Sequence, residues 1–329
     1  MTKAFVFGKF LPFHKGHEAM IRFALTKCDF LTVLICCSDK EHIPAKKRQN
    51  WIEKTFEGEN NIEIKSYNYI EDELPNTSQS SLEVSNIWAE KFLSLFPHYD
   101  LVITSEDYGE YVATYMNIKH IEFDKSRQNF PISATSIRND LSVNWSFLPN
   151  AVKSDFAIKV ILLGTESTGK TTLAKKLVEY FDCSYVKEIG REIIVDSNSF
   201  QFEDLHRIAS QHAKNIDEAV IGNSILTIID TDINITKSYA NFIFDKALIV
   251  EDKINNSNKA DLYLYLNNDV KYIQDGTRLD EKNRNLLDLS HRKILSQNNI
   301  EIVEIKGNWE QRFEKAVIAI NKLVKSKVY

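Results

Sequence analysis

Residues 158–172 read Ile158-Lys159-Val160-Ile161-Leu162-Leu163-Gly164-Thr165-Glu166-Ser167-Thr168-Gly169-Lys170-Thr171-Thr172. The first six form an apolar run of strand length, rich in β-branched residues. The next eight follow the pattern GxxxxGK[ST], and Thr171–Tyr180 then has helical spacing. Strand, glycine-rich loop and helix in that order make a phosphate cradle. Loop N–H groups surround the phosphates, Lys170 reaches the outer oxygens, and Thr171 offers a hydroxyl to a metal ion. Gly164, Ser167, Thr168, Gly169, Thr171 and Thr172 are therefore candidates to hold a nucleotide.

A P-loop needs an acid at the end of a neighbouring strand to complete its metal site. Asp230-Thr231-Asp232 follows the apolar run Ile225–Ile229. Asp230 is the first residue off that strand and is the candidate for metal ligand and proton acceptor. Asp232 is a candidate for substrate contact. Upstream, Glu188 and Arg191 in Glu188-Ile189-Gly190-Arg191-Glu192 are candidates for binding the acceptor or a phosphate. Downstream, Arg278 in Asp275-Gly276-Thr277-Arg278 is expected to act from a lid over the outer phosphate.

The first half repeats the alternation of strand-like and helix-like segments. Apolar runs at Ala4–Phe7, Phe30–Cys37, Ile62–Tyr67 and Leu101–Thr104 are separated by helical patterns at His17–Cys28, Lys46–Phe56 and Leu82–Phe96. Alternation of this kind predicts an α/β fold with a parallel sheet. A break at Leu148-Pro149-Asn150-Ala151 separates it from the second half. The chain thus reads as two α/β domains, 1–150 and 151–329. The first strand runs into Gly8-Lys9-Phe10-Leu11-Pro12-Phe13-His14-Lys15-Gly16-His17. Gly16 allows close backbone approach, and His14 and His17 are placed to donate to one anion at a helix start. Ile132-Ser133-Ala134-Thr135-Ser136-Ile137-Arg138 adds hydroxyls at Ser133 and Thr135 and a guanidinium one turn on. Attack on a nucleoside triphosphate needs such charge stabilisation more than covalent catalysis. Gly8, Lys9 and Phe10 complete the candidate set. Lys46, Lys47 and Arg48 form a basic cluster that reads equally as phosphate contacts or as a solvated helix end.

The chain has 329 residues, with 41 Lys+Arg against 46 Asp+Glu and a net charge of −5. That balance exerts no global pull on nucleic acid or an anionic membrane. Cys28, Cys36, Cys37 and Cys183 lack metal-ligand spacing and suit a reducing compartment. No signal peptide or membrane-length apolar run is visible, so the expected location is the cytoplasm. Oligomeric state, including a homo-oligomer, is open.

Taken together, HxGH and ISxTxxR resemble the signatures of the nucleotidyltransferase superfamily. That resemblance implies an HIGH-type Rossmann-like fold over the first half, and His14, His17 and Arg138 fall on its motif positions. With the P-loop, EIGRE, DTD and DGTR in the same order, nearly the whole chain resembles the NadR family, here without an N-terminal helix-turn-helix domain. The family's usual Tyr is replaced by Ile189, and an aromatic Trp by Tyr272. The resemblance implies a nicotinamide mononucleotide adenylyltransferase joined to a ribosylnicotinamide kinase. It implies ATP as substrate, Mg²⁺ as metal, and nicotinamide riboside and nicotinamide mononucleotide as acceptors. The competing readings are a nucleotide-sensing regulator without turnover and a fusion acting on a related nucleoside.

Overall fold

In the first half, strand residues with unbroken apolar runs lie where a parallel sheet is covered on both faces. The computed structural model describes residues 1–75, 81–193, 200–273 and 280–327. Five parallel strands, β1 (Lys3–Gly8), β2 (Phe30–Ser38), β3 (Ile62–Tyr69), β4 (Leu101–Thr104) and β5 (Lys119–Glu122), lie in the order β3-β2-β1-β4-β5. The topology reverses at β1, and ligands of such sheets collect beyond the strand ends at that point. The register opens the crevice there. β1 pairs with β2 from Lys3 to Gly8, but with β4 only at Ala4 and Phe5. A dense aromatic core supports this end, with Phe5 stacked on Phe96 at 4.7 Å and Phe7 against Phe92 at 4.4 Å.

The second half builds another five-stranded parallel sheet, in the order β10-β9-β6-β8-β7. Its strands are β6 (Ile158–Leu163), β7 (Ser184–Val186), β8 (Leu226–Asp230), β9 (Leu262–Leu266) and β10 (Ile302–Ile305). β6 is central, and Leu162 is in register with Asp230. The loop after β6 and the acid ending β8 therefore emerge side by side. β5 and β7 lack a sequence signature because Lys119–Glu122 alternates weakly and Ser184–Val186 spans only three residues.

The chain divides into two compact units, Met1–Asp155 and Phe156–Tyr329. The break around Pro149 is not an open linker. Pro149 starts the helix Asn150–Phe156, its carbonyl accepting from the Val152 and Lys153 N–H groups at 3.0 Å. Proline suits a helix start because its missing N–H has no helical partner there. Among the described residues, no helix is long and apolar enough to cross a membrane.

Candidate active sites

The crevice of the first unit is a cavity of about 590 Å³. Gly8, Lys9, Phe10, His17, Ser133, Thr135 and Arg138 are on its wall, as are Trp88, Tyr69 and Tyr108. His14 lies behind the wall, 5% exposed, as N-cap of the helix Lys15–Leu25. Its Nδ1 accepts the His17 backbone N–H at 3.3 Å, so its proton is on Nε2. The two imidazoles stack with centroids 3.6 Å apart. Burial, reinforced by the Arg127 guanidinium, pulls His14 down to about 3. Burial, then His14, then Arg127 holds His17 well below its ordinary value. Both rings are neutral donors at physiological pH. The His17 Nδ1 is buried without a partner. A Cβ added at Gly16 would stand 3.1 Å from the His14 ring, so glycine lets the two histidines pack.

Arg138 bridges the two motifs. Its Nη1 donates to the Leu11 carbonyl at 2.6 Å and Nη2 to Thr135 Oγ1 at 3.1 Å. Ser133 caps its own helix, Oγ accepting the Ser136 N–H at 3.0 Å. Lys9 reaches the wall but is paired with Glu41 at 3.1 Å. The basic cluster does not act as one. Lys46 pairs with Glu53 and Lys47 with Asp155, while Arg48, 1% exposed, turns inward. Arg48 donates to the Lys9 and Ile43 carbonyls and pairs with Glu41 at 2.7 Å, bracing the turn after β1. Arg127 has no motif to announce it. A loop pinned by Asp124, which accepts N–H groups of Asn129 and Phe130, presents it to the cavity.

In the second unit, the P-loop wraps the end of β6. Gly164 has φ +134° and Gly169 φ +86°, conformations that favour glycine. A Cβ at Gly164 would lie 2.6 Å from the Leu266 carbonyl oxygen, and one at Gly169 would lie 2.2 Å from the Trp309 ring. Lys170 Nζ donates to the Gly164 and Thr165 carbonyls at 2.9 and 3.1 Å. Thr168 Oγ1 donates to the Thr165 carbonyl at 2.8 Å, and Ser167 Oγ accepts the Ile273 N–H at 2.9 Å. Thr172 is exposed on the first helical turn. Arg312, fully buried, donates to the Thr168, Asn267 and Gly307 carbonyls and pairs with Asp269. It ties the loop to the ends of β9 and β10 and is invisible in the motif.

Thr171 Oγ1 donates to Asp230 Oδ2 at 2.7 Å. A hydroxyl and a carboxylate side by side at a phosphate loop are hard oxygen donors of the type Mg²⁺ prefers. Asp232, a candidate for substrate contact, is held in a helix cap. Fully buried, it caps the helix Ile233–Phe244, Oδ1 accepting the Asn234 and Ile235 N–H groups and Oδ2 the Asn234 amide at 2.6 Å. Burial pushes its carboxyl up to about 6. Glu188, past the end of β7, is partly exposed, and Ile189 packs inward at 9% exposure. The Arg191 side chain and the whole of Gly276 and Arg278 lie outside the described residues.

Residues 5–140 match the cytidylyltransferase-like family and residues 159–312 the AAA domain family. The chain is 29% identical to the trifunctional NAD biosynthesis/regulator protein NadR of Escherichia coli (strain K12), over 98% of this chain and 83% of the relative. Along nearly its whole length this chain is similar to NadR proteins. Its fold is that of two solved structures, both 19% identical. The NadR protein in complex with NR gives a TM-score of 0.67 over 100% of this chain and 97% of that one. The NadR protein in complex with NAD and AMP-PNP gives 0.64 over 98% and 96%. Each of the two family matches contains one of the two constellations.

Proposed function

We propose that this chain is a bifunctional NAD salvage enzyme. The second unit phosphorylates the ribose 5′-hydroxyl of nicotinamide riboside with ATP. The first joins the mononucleotide to AMP from a second ATP, forming NAD and releasing pyrophosphate. One observation carries the reading: a Thr171–Asp230 contact beside a P-loop, in a chain whose other unit sets His17 and Arg138 on one cavity wall.

In the adenylyl transfer, a phosphate oxygen of the mononucleotide attacks the α-phosphorus of ATP, and the bond to the bridging oxygen breaks. The nucleophile is already anionic near pH 7, so no general base is required. The chain contributes position and charge. His17, neutral, donates an N–H to the reacting phosphoryl oxygens, and His14 holds the backbone of His17 from behind. Arg138 has five N–H donors and commits two contacts within the protein, leaving others for the outer phosphates. Lys9 adds a cation that leaves Glu41 for the nucleotide. Gly8, Phe10, Ser133 and Thr135 shape the rest, and Trp88, Tyr69 and Tyr108 offer flat apolar surface to a ring.

In the kinase unit, the loop amides from Gly164 to Thr171 cradle the phosphates. Lys170 exchanges its two carbonyl partners for β/γ oxygens. Thr171 and Asp230 would hold Mg²⁺, which neutralises charge on those oxygens when bound. Asp230 serves the reacting end, and the partly exposed Glu188 is the candidate for the acceptor, a role the Arg191 motif also suggests. The reading places both reactions in the cytoplasm. Incubating the full chain with ATP, Mg²⁺ and nicotinamide riboside tests it by mass. The mononucleotide should appear first and the dinucleotide after it. A preparation that binds ATP yet forms neither product sinks the reading.

A further inference from the structure

Between Asp230 on β8 and Asp232 at a helix N-cap, the chain turns within one residue. That residue is Thr231, with φ +73°. β-Branched side chains rarely adopt this region, so the turn depends on what holds it. Two hydrogen bonds do so. The Thr231 N–H donates to the Leu162 carbonyl of β6 at 3.0 Å. The Thr231 carbonyl is met by His212 Nε2 at 3.2 Å. A carbonyl only accepts, so the proton is on Nε2 and the ring is oriented by this bond.

His212 is 4% exposed on the apolar stripe of the helix Phe202–Val220, beside Ala209 and Ala213. Its Nδ1 is buried without a partner. A buried lone pair left unmet is unfavourable. Packing alone offers no reason for an imidazole there, whereas the Nε2–H bond does.

We propose that His212 is a positioning residue of the kinase site, holding the Thr231 carbonyl so that the Asp230 carboxylate stays against the Thr171 hydroxyl. Asp232 is anchored by its own capping bonds. Without the His212 donor, only the Thr231 N–H bond to Leu162 is left to hold the φ of +73°, and relaxation of that dihedral turns the peptide joining Thr231 to Asp230, whose carboxylate meets Thr171. His212, 4% exposed, acts through the Thr231 backbone. The assignment rests on the kinase reading of this unit.

The test compares three full-length variants with the wild type: His212→Leu, His212→Gln, and His212→Leu combined with Thr231→Gly. Glutamine puts an amide N–H where Nε2–H was, and glycine adopts the turn without help. Adenylyl transfer from supplied mononucleotide, carried by the other unit, reports that the chain is folded. His212→Leu should lower kcat for nucleoside phosphorylation by about tenfold or more. It should leave KM for the nucleoside little changed. It should also weaken ADP binding in Mg²⁺ while ADP binding without Mg²⁺ stays as it was. His212→Gln and the added Thr231→Gly should each recover most of the loss. A kcat for His212→Leu close to wild type overturns the proposal. So does a loss that neither Gln nor Gly repairs, since that marks a packing role. If the wild type phosphorylates no nicotinamide riboside, the kinase reading fails, and the Mg²⁺-dependent ADP binding still decides the role of His212.

Discussion

In the proposed adenylyl transfer, His17 is the side chain on which the first unit's chemistry turns. It combines a neutral ring, a place on the cavity wall and a neighbour that fixes its backbone. His17→Ala should lower adenylyl transfer by about 100-fold in turnover, the scale of one lost transition-state donor. Mononucleotide KM should move little, and a drop of only a few-fold would make His17 a packing residue. His14 makes a separate claim about pH. Its folded value is about 3 against an ordinary 6.5. The unfolded chain takes up this proton near pH 6.5, and the folded chain does not until near pH 3. Stability is therefore whole above pH 6.5 and falls as pH drops, by about 1.4 kcal/mol per pH unit for each such histidine. Denaturant midpoints of wild type and His14→Asn between pH 7 and 5 should converge as the pH falls. In the kinase unit, Asp230→Asn should cut phosphorylation by about 100-fold or more while nucleotide still binds. Asp232→Asn keeps a good capping residue and removes a buried charge, so activity should stay within a few-fold. The reverse result would mean that the carboxylate sealed in the cap is the reactive one.

At the scale of elements, each site is a strand end met by something from far along the chain. The P-loop is pressed between β9, through Leu266, and the helix Trp309–Lys327, through Trp309 and Arg312. Gly169→Ala places a Cβ in the Trp309 ring and forces a residue with a side chain into φ +86°. Nucleotide binding by this unit should be lost. Adding Trp309→Ala should restore only part of it, because the backbone penalty of about 1–2 kcal/mol remains. ADP titrations of the single and double variants separate the two contributions, and full recovery in the double variant would leave sterics as the whole cause. In the first unit, Arg48 plays the corresponding part for the β1 turn, binding the Lys9 carbonyl and Glu41 at once.

Across the whole molecule, the two constellations lie in separate compact units, Met1–Asp155 and Phe156–Tyr329. Lys170→Ala should abolish phosphorylation of nicotinamide riboside and leave adenylyl transfer from supplied mononucleotide near wild type. Loss of both activities in a folded variant would contradict independent sites. How much of this organisation is legible in sequence follows from how local each signal is. GxxxxGK[ST], HxGH, the apolar strands and Asp230 need only near neighbours for their meaning, because strand period, loop glycines and helix starts are set within a few residues. Sheet order, the two-residue pairing of β1 with β4, and the three-residue β7 are products of the assembled sheet. The backbone bonds of Arg48, Arg312 and His212, the presentation of Arg127 to the cavity and the capping bonds of Asp232 arise the same way. Arg138 meets Leu11 across 127 residues and Arg312 meets Thr168 across 144. Local chemistry determined which phosphate-binding parts the chain carries. Only folding decided which charged side chains reach the cavity wall and which are spent holding the backbone, because a buried polar group must take whatever partner the sheet brings to it.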